Sequence, residues 1–96
     1  MAGEKVEVRN VNRPDQVSRV DGAKYAAMKG AMVDVLTGSA PMSAAEIKTA
    51  VLPRLPDKLF PEGETAGWWV KCVQLDLEAR GEMRRHDTKP LTFSLA

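Results

Sequence analysis

Five side chains in the second half of the sequence could contact phosphate groups through positive charge. Four of them fall in one short segment and the fifth lies earlier on a predicted helix: Arg84, Arg85, His86, Lys89 and Lys71. Because lysine and arginine bind nucleic acid chiefly by neutralising phosphates, these residues are the candidate DNA contact. A charge run is more often a solvated surface. Neighbouring strand residues also point to opposite faces, so at most one of Arg84 and Arg85 fits a flat contact.

Patterns typical of catalysis and metal binding are weak in this chain. Cys72 is the single cysteine, so it has no partner for an internal disulfide or a cysteine-based zinc site, and Lys71 points elsewhere on the helix. His86 is the single histidine, with no second histidine or cysteine near it in the sequence. Asp76 and Glu78 do not share a helix face and cannot act as a paired acid and base. We therefore expect no enzyme activity, no metal and no cofactor.

Composition predicts one soluble globular domain. The 96 residues are 44% apolar and 28% charged, and 14 Lys and Arg against 13 Asp and Glu give a formal net charge of +1. A protein that binds mainly phosphates usually carries a larger or more clustered positive excess. No apolar run approaches the ~20 residues of a membrane span. The first 20 residues lack the apolar block of a signal peptide, which predicts a cytoplasmic location without a membrane partner.

Two helices are predicted in the first half of the chain, each from its own boundary signals. The first spans about residues 22–36 and starts at Asp21, whose carboxylate can accept the free N–H groups of the first turn. The second starts at a capping box, in which Ser43 and Glu46 satisfy each other's backbone donors. It ends near Pro53, because proline has no backbone N–H to donate.

A third helix and a hairpin are predicted to follow. The helix runs from Thr65, its expected cap, to Gly81, since glycine readily takes the left-handed conformation at a helix end. A strand containing Met83 then ends near His86, and after a turn apolar residues alternate with polar ones at Leu91, Phe93 and Leu95. This alternation is typical of a strand with one buried face.

Residues 1–20 are predicted as an N-terminal arm preceding a domain formed by residues 21–96. Val6 and Val8 alternate with charged residues, as in a half-exposed strand. Three residues that favour turns follow them: Asn10, Asn12 and Pro14. Two interpretations stay open, a mobile arm with a short extended piece and a segment whose valines cover apolar surface of the domain.

The join of the third helix and the hairpin resembles that of winged-helix domains, in the run LEARGEMRRHDTKPLTFSL. In that family a core leucine on the third helix is followed by a glycine and by a hairpin with alternating apolar residues, here Leu77, Gly81, Met83, Leu91, Phe93 and Leu95. The start of the second helix, from Ser43 to Ile47, is similar as well. The resemblance implies an α+β fold with three helices and a two- or three-stranded C-terminal hairpin wing. The whole chain is also similar to a small bacterial family of unknown function.

Winged-helix domains most often bind DNA through the third helix and the wing, here residues 65–80 and 82–95. At about 100° per residue, one side of this helix is a core face made of Val70, Val73 and Leu77. The opposite side carries four residues that we call the Trp68 stripe: Trp68, Cys72, Leu75 and Ala79. Base edges and phosphates are contacted by polar and cationic side chains, which the stripe lacks. Asp76 and Glu78 beside it would repel phosphate.

A helix that is apolar on two opposite sides should be buried on both. The N-terminal arm could fold across the Trp68 stripe, or the stripe could bind a second copy or another protein, with Trp68 as an anchor. We therefore predict a small protein-interaction or dimerisation module, as a homodimer or with another protein. The alternative is a DNA-binding transcriptional regulator that uses the third helix and the wing.

Overall fold

The computed structural model describes residues 4–13 and 15–96, and three helices and five strands lie within these ranges. In chain order they are β1 (Lys5–Arg9), β2 (Val17–Asp21), α1 (Gly22–Leu36), β3 (Met42–Ser43), α2 (Ala44–Val51), α3 (Ala66–Ala79), β4 (Met83–His86) and β5 (Thr92–Leu95). The fold is α+β, with three helices and antiparallel sheets that include a C-terminal strand pair. The predicted layout is confirmed. Within the described ranges, no helix is long and apolar enough to cross a membrane.

The predicted cap and bounds of α1 are confirmed. A carboxylate oxygen of Asp21 accepts a hydrogen bond from the Lys24 backbone N–H at 3.0 Å, which satisfies one free donor of the first turn. The helix ends at Leu36, and the chain turns away at Gly38, whose φ of 71° suits a glycine. The buried side of α1 consists of Met28, Ala31, Met32 and Leu36.

α2 starts with the predicted capping box. The Ser43 hydroxyl accepts the Glu46 backbone N–H at 3.2 Å, and a Glu46 carboxylate oxygen accepts the Ser43 backbone N–H at 2.9 Å. The helix ends at Val51, and Pro53 follows within a single 3-10 turn. Ile47 and Val51 are fully buried where α2 contacts α1 and α3.

α3 contacts both other helices, β1 and β4, so it connects all parts of the fold. Its predicted core face is buried, at Val70, Val73 and Leu77. Thr65 is the N-cap residue as predicted, but its side chain does not cap the helix: the hydroxyl donates to the Glu64 carbonyl at 2.6 Å and accepts nothing from the helix. Thr65 has a left-handed φ of 62°, so its side chain is turned away from the first free N–H groups.

The C-terminal sheet has the strand order β3–β5–β4, and both pairs are antiparallel. Met83 pairs with Leu95 and Arg85 with Phe93, and both Met83 and Phe93 are buried in the core. Met83 and Arg85 therefore share one face of β4, and Arg84 and His86 lie on the other. β3 makes the sheet three-stranded, which is the larger of the two predicted sizes.

β1 and β2 form an antiparallel hairpin, which we call the N-terminal hairpin. Val8 pairs with Ser18 and Val6 with Val20, so these four residues share one face. Val8 is buried and Val20 packs against the core. Valines of the predicted arm therefore do cover apolar surface of the domain.

The join between the N-terminal hairpin and α1 needs a glycine. The Gly22 N–H donates to the Glu4 carbonyl at 2.8 Å, and a Cβ at this position would lie 2.9 Å from the same oxygen. A larger residue would force the two backbones apart. Residues 1–3 of the predicted arm and Pro14, predicted to favour a turn, lie outside the described residues.

We predict that Ile47→Ala lowers the free energy of unfolding by about 2–5 kcal/mol, because it leaves a cavity where α2 meets the core. Urea denaturation followed by tryptophan fluorescence measures this loss. Thr49→Ala, at an exposed position of the same helix, is the matched control and should change stability by less than about 0.5 kcal/mol. Equal losses in the two variants would contradict the core position of Ile47.

Candidate functional site

The Trp68 stripe is covered unevenly. Trp68 is 59% exposed, whereas Cys72 and Leu75 are half-buried and Ala79 is exposed. The opposite, core face of α3 is fully covered. The second apolar side of α3 is therefore partly covered at Cys72 and Leu75 and exposed to solvent at Trp68.

Trp68 is held in place by a row of aromatic rings. Its ring lies edge-to-face against Trp69, with centroids 5.0 Å apart and planes at 79°. Trp69 is buried and meets Phe60 edge-to-face at 6.4 Å. Edge-to-face pairs of this kind contribute about 0.5–1.5 kcal/mol beyond their buried area. The exposed indole therefore projects from a rigid base.

A groove of about 300 Å³ lies between α3 and the N-terminal hairpin, and we call it the N-terminal groove. Its apolar lining comes from both walls: Trp68, Cys72 and Leu75 on α3, with Val8 and Val20 on the hairpin. Polar groups of Arg9, Gln16 and Lys71 also border it. The hairpin therefore flanks the Trp68 stripe while the indole of Trp68 remains exposed.

Asp76 is fully buried, and its carboxylate accepts hydrogen bonds from three directions. Oδ1 accepts the Arg9 backbone N–H at 2.7 Å, and Oδ2 accepts the Tyr25 hydroxyl. The Arg80 Nε–H reaches both oxygens, at 2.9 and 3.0 Å. Arg80 also donates through Nη2 to the Glu7 carbonyl at 3.0 Å. Asp76 thus links α3 to α1 and to the N-terminal hairpin.

The network around Asp76 also shifts the pKa values of its partners. Burial, followed by the hydrogen bond to Asp76 and its charge, raises the pKa of Tyr25 well above the ordinary phenol value. The hydrogen bond to Asp76, followed by its charge, raises the pKa of Arg80. Tyr25 therefore stays a neutral donor and Arg80 stays charged at any physiological pH.

Asp76 is predicted from the sequence to lie beside the stripe, where it would repel phosphate; in the structure it is fully buried, and the prediction is wrong. The carboxylate faces the N-terminal hairpin and is not exposed on the helix surface where a phosphate would approach. Two signals could have indicated a special role. A carboxylate in the last turn of a helix opposes the helix dipole, and Arg80 follows it at the i+4 position.

Among the five candidate DNA contacts, Arg85 is engaged within the fold. Its Nε and Nη2 donate to the two carboxylate oxygens of Glu78 at 2.8 and 3.1 Å. Its guanidinium lies 5.8 Å from the centre of the Phe93 ring. Gln74 also donates to Glu78, at 2.8 Å. Glu78 thus pairs with Arg85 and holds its guanidinium beside α3.

The other four candidates are spread over several surfaces. Arg84 is exposed on the face of β4 opposite to Arg85, because consecutive strand residues point to opposite faces. His86 is half-buried, with Nε2 2.7 Å from the Ser94 hydroxyl. Lys89 is exposed between the strands, and Lys71 is exposed on α3. Of the five candidates, Lys71 and Arg85 line one groove together, whereas Arg84 lies on the opposite face of β4.

These features define a small α+β protein whose third helix presents a rigid, exposed tryptophan beside a groove. The chain belongs to a family of unknown function (DUF6958), which it matches over residues 5–93. The match spans the N-terminal hairpin, all three helices and most of the C-terminal sheet. No curated protein and no solved structure gives a significant match to the chain.

Asp76→Ala should lower the free energy of unfolding by about 3–5 kcal/mol, because it leaves the donors of Tyr25 and Arg9 without their acceptor. Hydrogen exchange at the Arg9 amide should become faster in the same variant. Urea denaturation and amide exchange measure the two effects.

Two further variants make this prediction sharper. Tyr25→Phe keeps the carboxylate and should cost about 1–3 kcal/mol. Asp34→Ala removes an exposed carboxylate that lies 3.6 Å from Arg54, and should cost less than about 1 kcal/mol. Unchanged Arg9 exchange in Asp76→Ala would contradict the role given to this network.

The thiol of Cys72 provides a pH-dependent prediction. Burial, and then the charge of Asp76, raises the pKa of the Cys72 thiol to about 11, from 9.0 in an exposed cysteine. Alkylation by iodoacetamide requires the thiolate, so its rate in the native protein should rise with a midpoint near 11. In urea the midpoint should fall to near 9.0.

The sign of the stability effect follows from the same shift. The folded protein holds the Cys72 proton more tightly than the unfolded chain does, so the protonated thiol contributes to the free energy of unfolding. That contribution is complete below pH 9.0 and is lost as the pH rises through about 11. A native alkylation midpoint at or below that of the urea-unfolded protein would refute the assigned burial.

Proposed function

We propose that this protein is a small interaction module that self-associates through the Trp68 stripe and the N-terminal groove. The observation that carries the proposal is the 59% exposure of a tryptophan fixed beside an apolar groove. The projecting indole and the groove lie on the same face. Two copies related by a two-fold axis could each place Trp68 in the groove of the other, so the contact is self-complementary.

The energy available from this contact suits association. A buried aromatic side chain removes ~150–250 Å² from water. Covering the exposed three-fifths of Trp68 therefore contributes roughly 2–4 kcal/mol at ~25 cal/mol per Å², and symmetry doubles it. The rigid base on Trp69 lowers the side-chain entropy lost on binding. Tryptophan is also among the residues that dominate interface energies.

We infer that α1–α3 and the C-terminal sheet form a winged-helix scaffold. Support comes from the order of elements: a helix, a helix with a capping box, a third helix, a glycine and a hairpin. Leu77 packs in the core as the resemblance requires, and Gly81 has a φ of 75° after the end of α3. On this scaffold the Trp68 stripe takes the place of a DNA-reading surface.

A DNA-binding regulator that uses α3 and the C-terminal hairpin is the weaker proposal. Its support lies in three exposed cations, Lys71, Arg84 and Lys89. Against it, Arg85 is paired with Glu78, and the outward side of α3 offers bases an indole and an isobutyl group. The proposed function includes no catalysis, because the Asp76 carboxylate is inaccessible and the Cys72 thiol is un-ionised near neutral pH.

Light scattering behind a sizing column, over a range of protein concentrations, tests self-association. The native protein should approach the mass of a dimer as concentration rises, and Trp68→Lys should remain a monomer because a charge cannot enter the groove unpaired. Leu52→Lys is the matched control, since Leu52 is also an exposed apolar residue but lies outside the groove. A native protein that stays monomeric at the highest concentration would refute self-association.

A further inference from the structure

A second groove, of about 590 Å³, lies on the other side of α3 and extends to the start of α2 and the C-terminal hairpin. We call it the C-terminal groove. Apolar side chains from α3, β5 and the residues before β5 line it: Val70, Leu75, Leu91 and Phe93. Leu91 is 39% exposed, so this apolar surface is only partly covered by the chain itself. The volume lies within the ~300–1,000 Å³ typical of ligand sites.

The charged lining of the C-terminal groove has one sign. Every charged side chain among the described residues that line it is basic: Lys48, Lys71 and Arg85. The whole chain is nearly balanced, with 14 basic and 13 acidic residues. The basic lining is therefore a local property of this groove and not a consequence of composition.

Two of these cations have no carboxylate to neutralise them. Glu78 pairs with Arg85, whereas no ion pair of the described ranges includes Lys48 or Lys71. Lys48 lies over α3, because a Cβ at Gly67 would be 3.6 Å from its Nζ and 3.7 Å from its Cε. The Lys48 side chain therefore rests beside Gly67 in the first turn of α3, at the edge of the groove.

From the apolar lining and the basic edge together, we propose that the C-terminal groove binds an acidic segment of a partner protein. The segment carries a large apolar side chain flanked by Asp or Glu. The apolar side chain contacts Leu75, Leu91 and Phe93, and the carboxylates pair with Lys48 and Lys71. The basic edge attracts the segment and fixes its orientation, while burial of the apolar side chain supplies most of the affinity.

Duplex DNA fits this lining less well. Two unpaired lysines provide few phosphate contacts, and DNA affinity depends on the number of phosphates neutralised. Gln74 could read a base edge, but its side-chain amide donates to Glu78 at 2.8 Å. A phosphate backbone would also cover Leu91 and Leu75 without giving them an apolar partner.

Separate residues distinguish this proposal from self-association through Trp68, although Gly67, Lys71 and Leu75 line both grooves. Trp68, Val8 and Val20 line the N-terminal groove and are absent from the lining of the C-terminal groove. Lys48 and Leu91 line only the C-terminal groove. Variants at these two sets of positions therefore separate the two proposals.

The test uses the full chain, labelled with nitrogen-15, and a synthetic capped peptide with a central Phe-Leu pair between flanking aspartates and glutamates. Titration followed by amide chemical shifts should give saturable changes at Leu91, Phe93 and the start of α2. Binding should weaken as salt is added, because the lysines are exposed. Two control peptides, one with lysines in place of the acidic residues and one with Gly-Ser in place of Phe-Leu, should bind weakly or not at all.

Lys48→Glu should lower the affinity for the acidic peptide about five- to tenfold, because it removes an attractive charge and adds a repulsive one. Leu91→Ser should lower the same affinity because it removes an apolar contact. Lys58→Glu is the matched control, because it makes the same charge change at an exposed lysine outside the groove. Trp68→Lys should still bind the peptide saturably at the C-terminal groove while losing self-association, which keeps the two proposals distinguishable.

Several results would overturn the proposal. They are absence of saturable shifts, shifts confined to residues of the N-terminal groove, equal binding of the lysine-containing peptide, and equal weakening by Lys48→Glu and Lys58→Glu. A mixed-sequence DNA duplex that shifts the same amides at lower concentration than the acidic peptide would assign the groove to nucleic acid instead.

Discussion

The arrangement of this fold depends on the burial of one carboxylate, that of Asp76. A buried charge costs several kcal/mol unless it is paired and hydrogen-bonded, and here the donors are Arg9, Tyr25 and Arg80. They come from the first strand, the first helix and the residue that follows α3. Arg80 also donates to the Glu7 carbonyl, so the pair reaches β1 twice. The charge can be buried at acceptable cost only while the N-terminal hairpin is in place.

This polar attachment explains why a groove exists beside α3. The N-terminal hairpin buries Val8 and packs the half-buried Val20 against the core, and the bonds to Asp76 and Arg80 add a polar attachment. Its place is fixed at Asp76, which leaves Cys72 and Leu75 half-covered. The Trp68 ring meanwhile packs edge-to-face against Trp69. A rigid indole beside an incompletely filled groove is the result.

The parts of the fold that the sequence predicted are those set by interactions within one helical turn or one strand. The Asp21 cap and the capping box of Ser43 and Glu46 each join residues three apart, so they are readable locally. The burial of Asp76 depends on Tyr25 and on Arg9, 51 and 67 residues away, and no local pattern reveals such partners. The sequence pattern does not predict β2. Its inward face carries Ser18, which pairs with Val8, so Val17 and Val20 do not follow the apolar alternation of a strand.

The exposed ridge of α3 belongs to both grooves, because Gly67, Lys71 and Leu75 line each of them. A second copy seated in the N-terminal groove therefore touches residues that the acidic segment also needs. If both proposals hold and the shared residues make the two contacts compete, the coupling is reciprocal: the segment would disfavour self-association by the same factor that self-association disfavours the segment. Among the three shared residues Lys71 carries the charge: it is exposed and belongs to no ion pair of the described ranges. On the two proposals together, α3 would act as the shared wall of two protein-binding grooves.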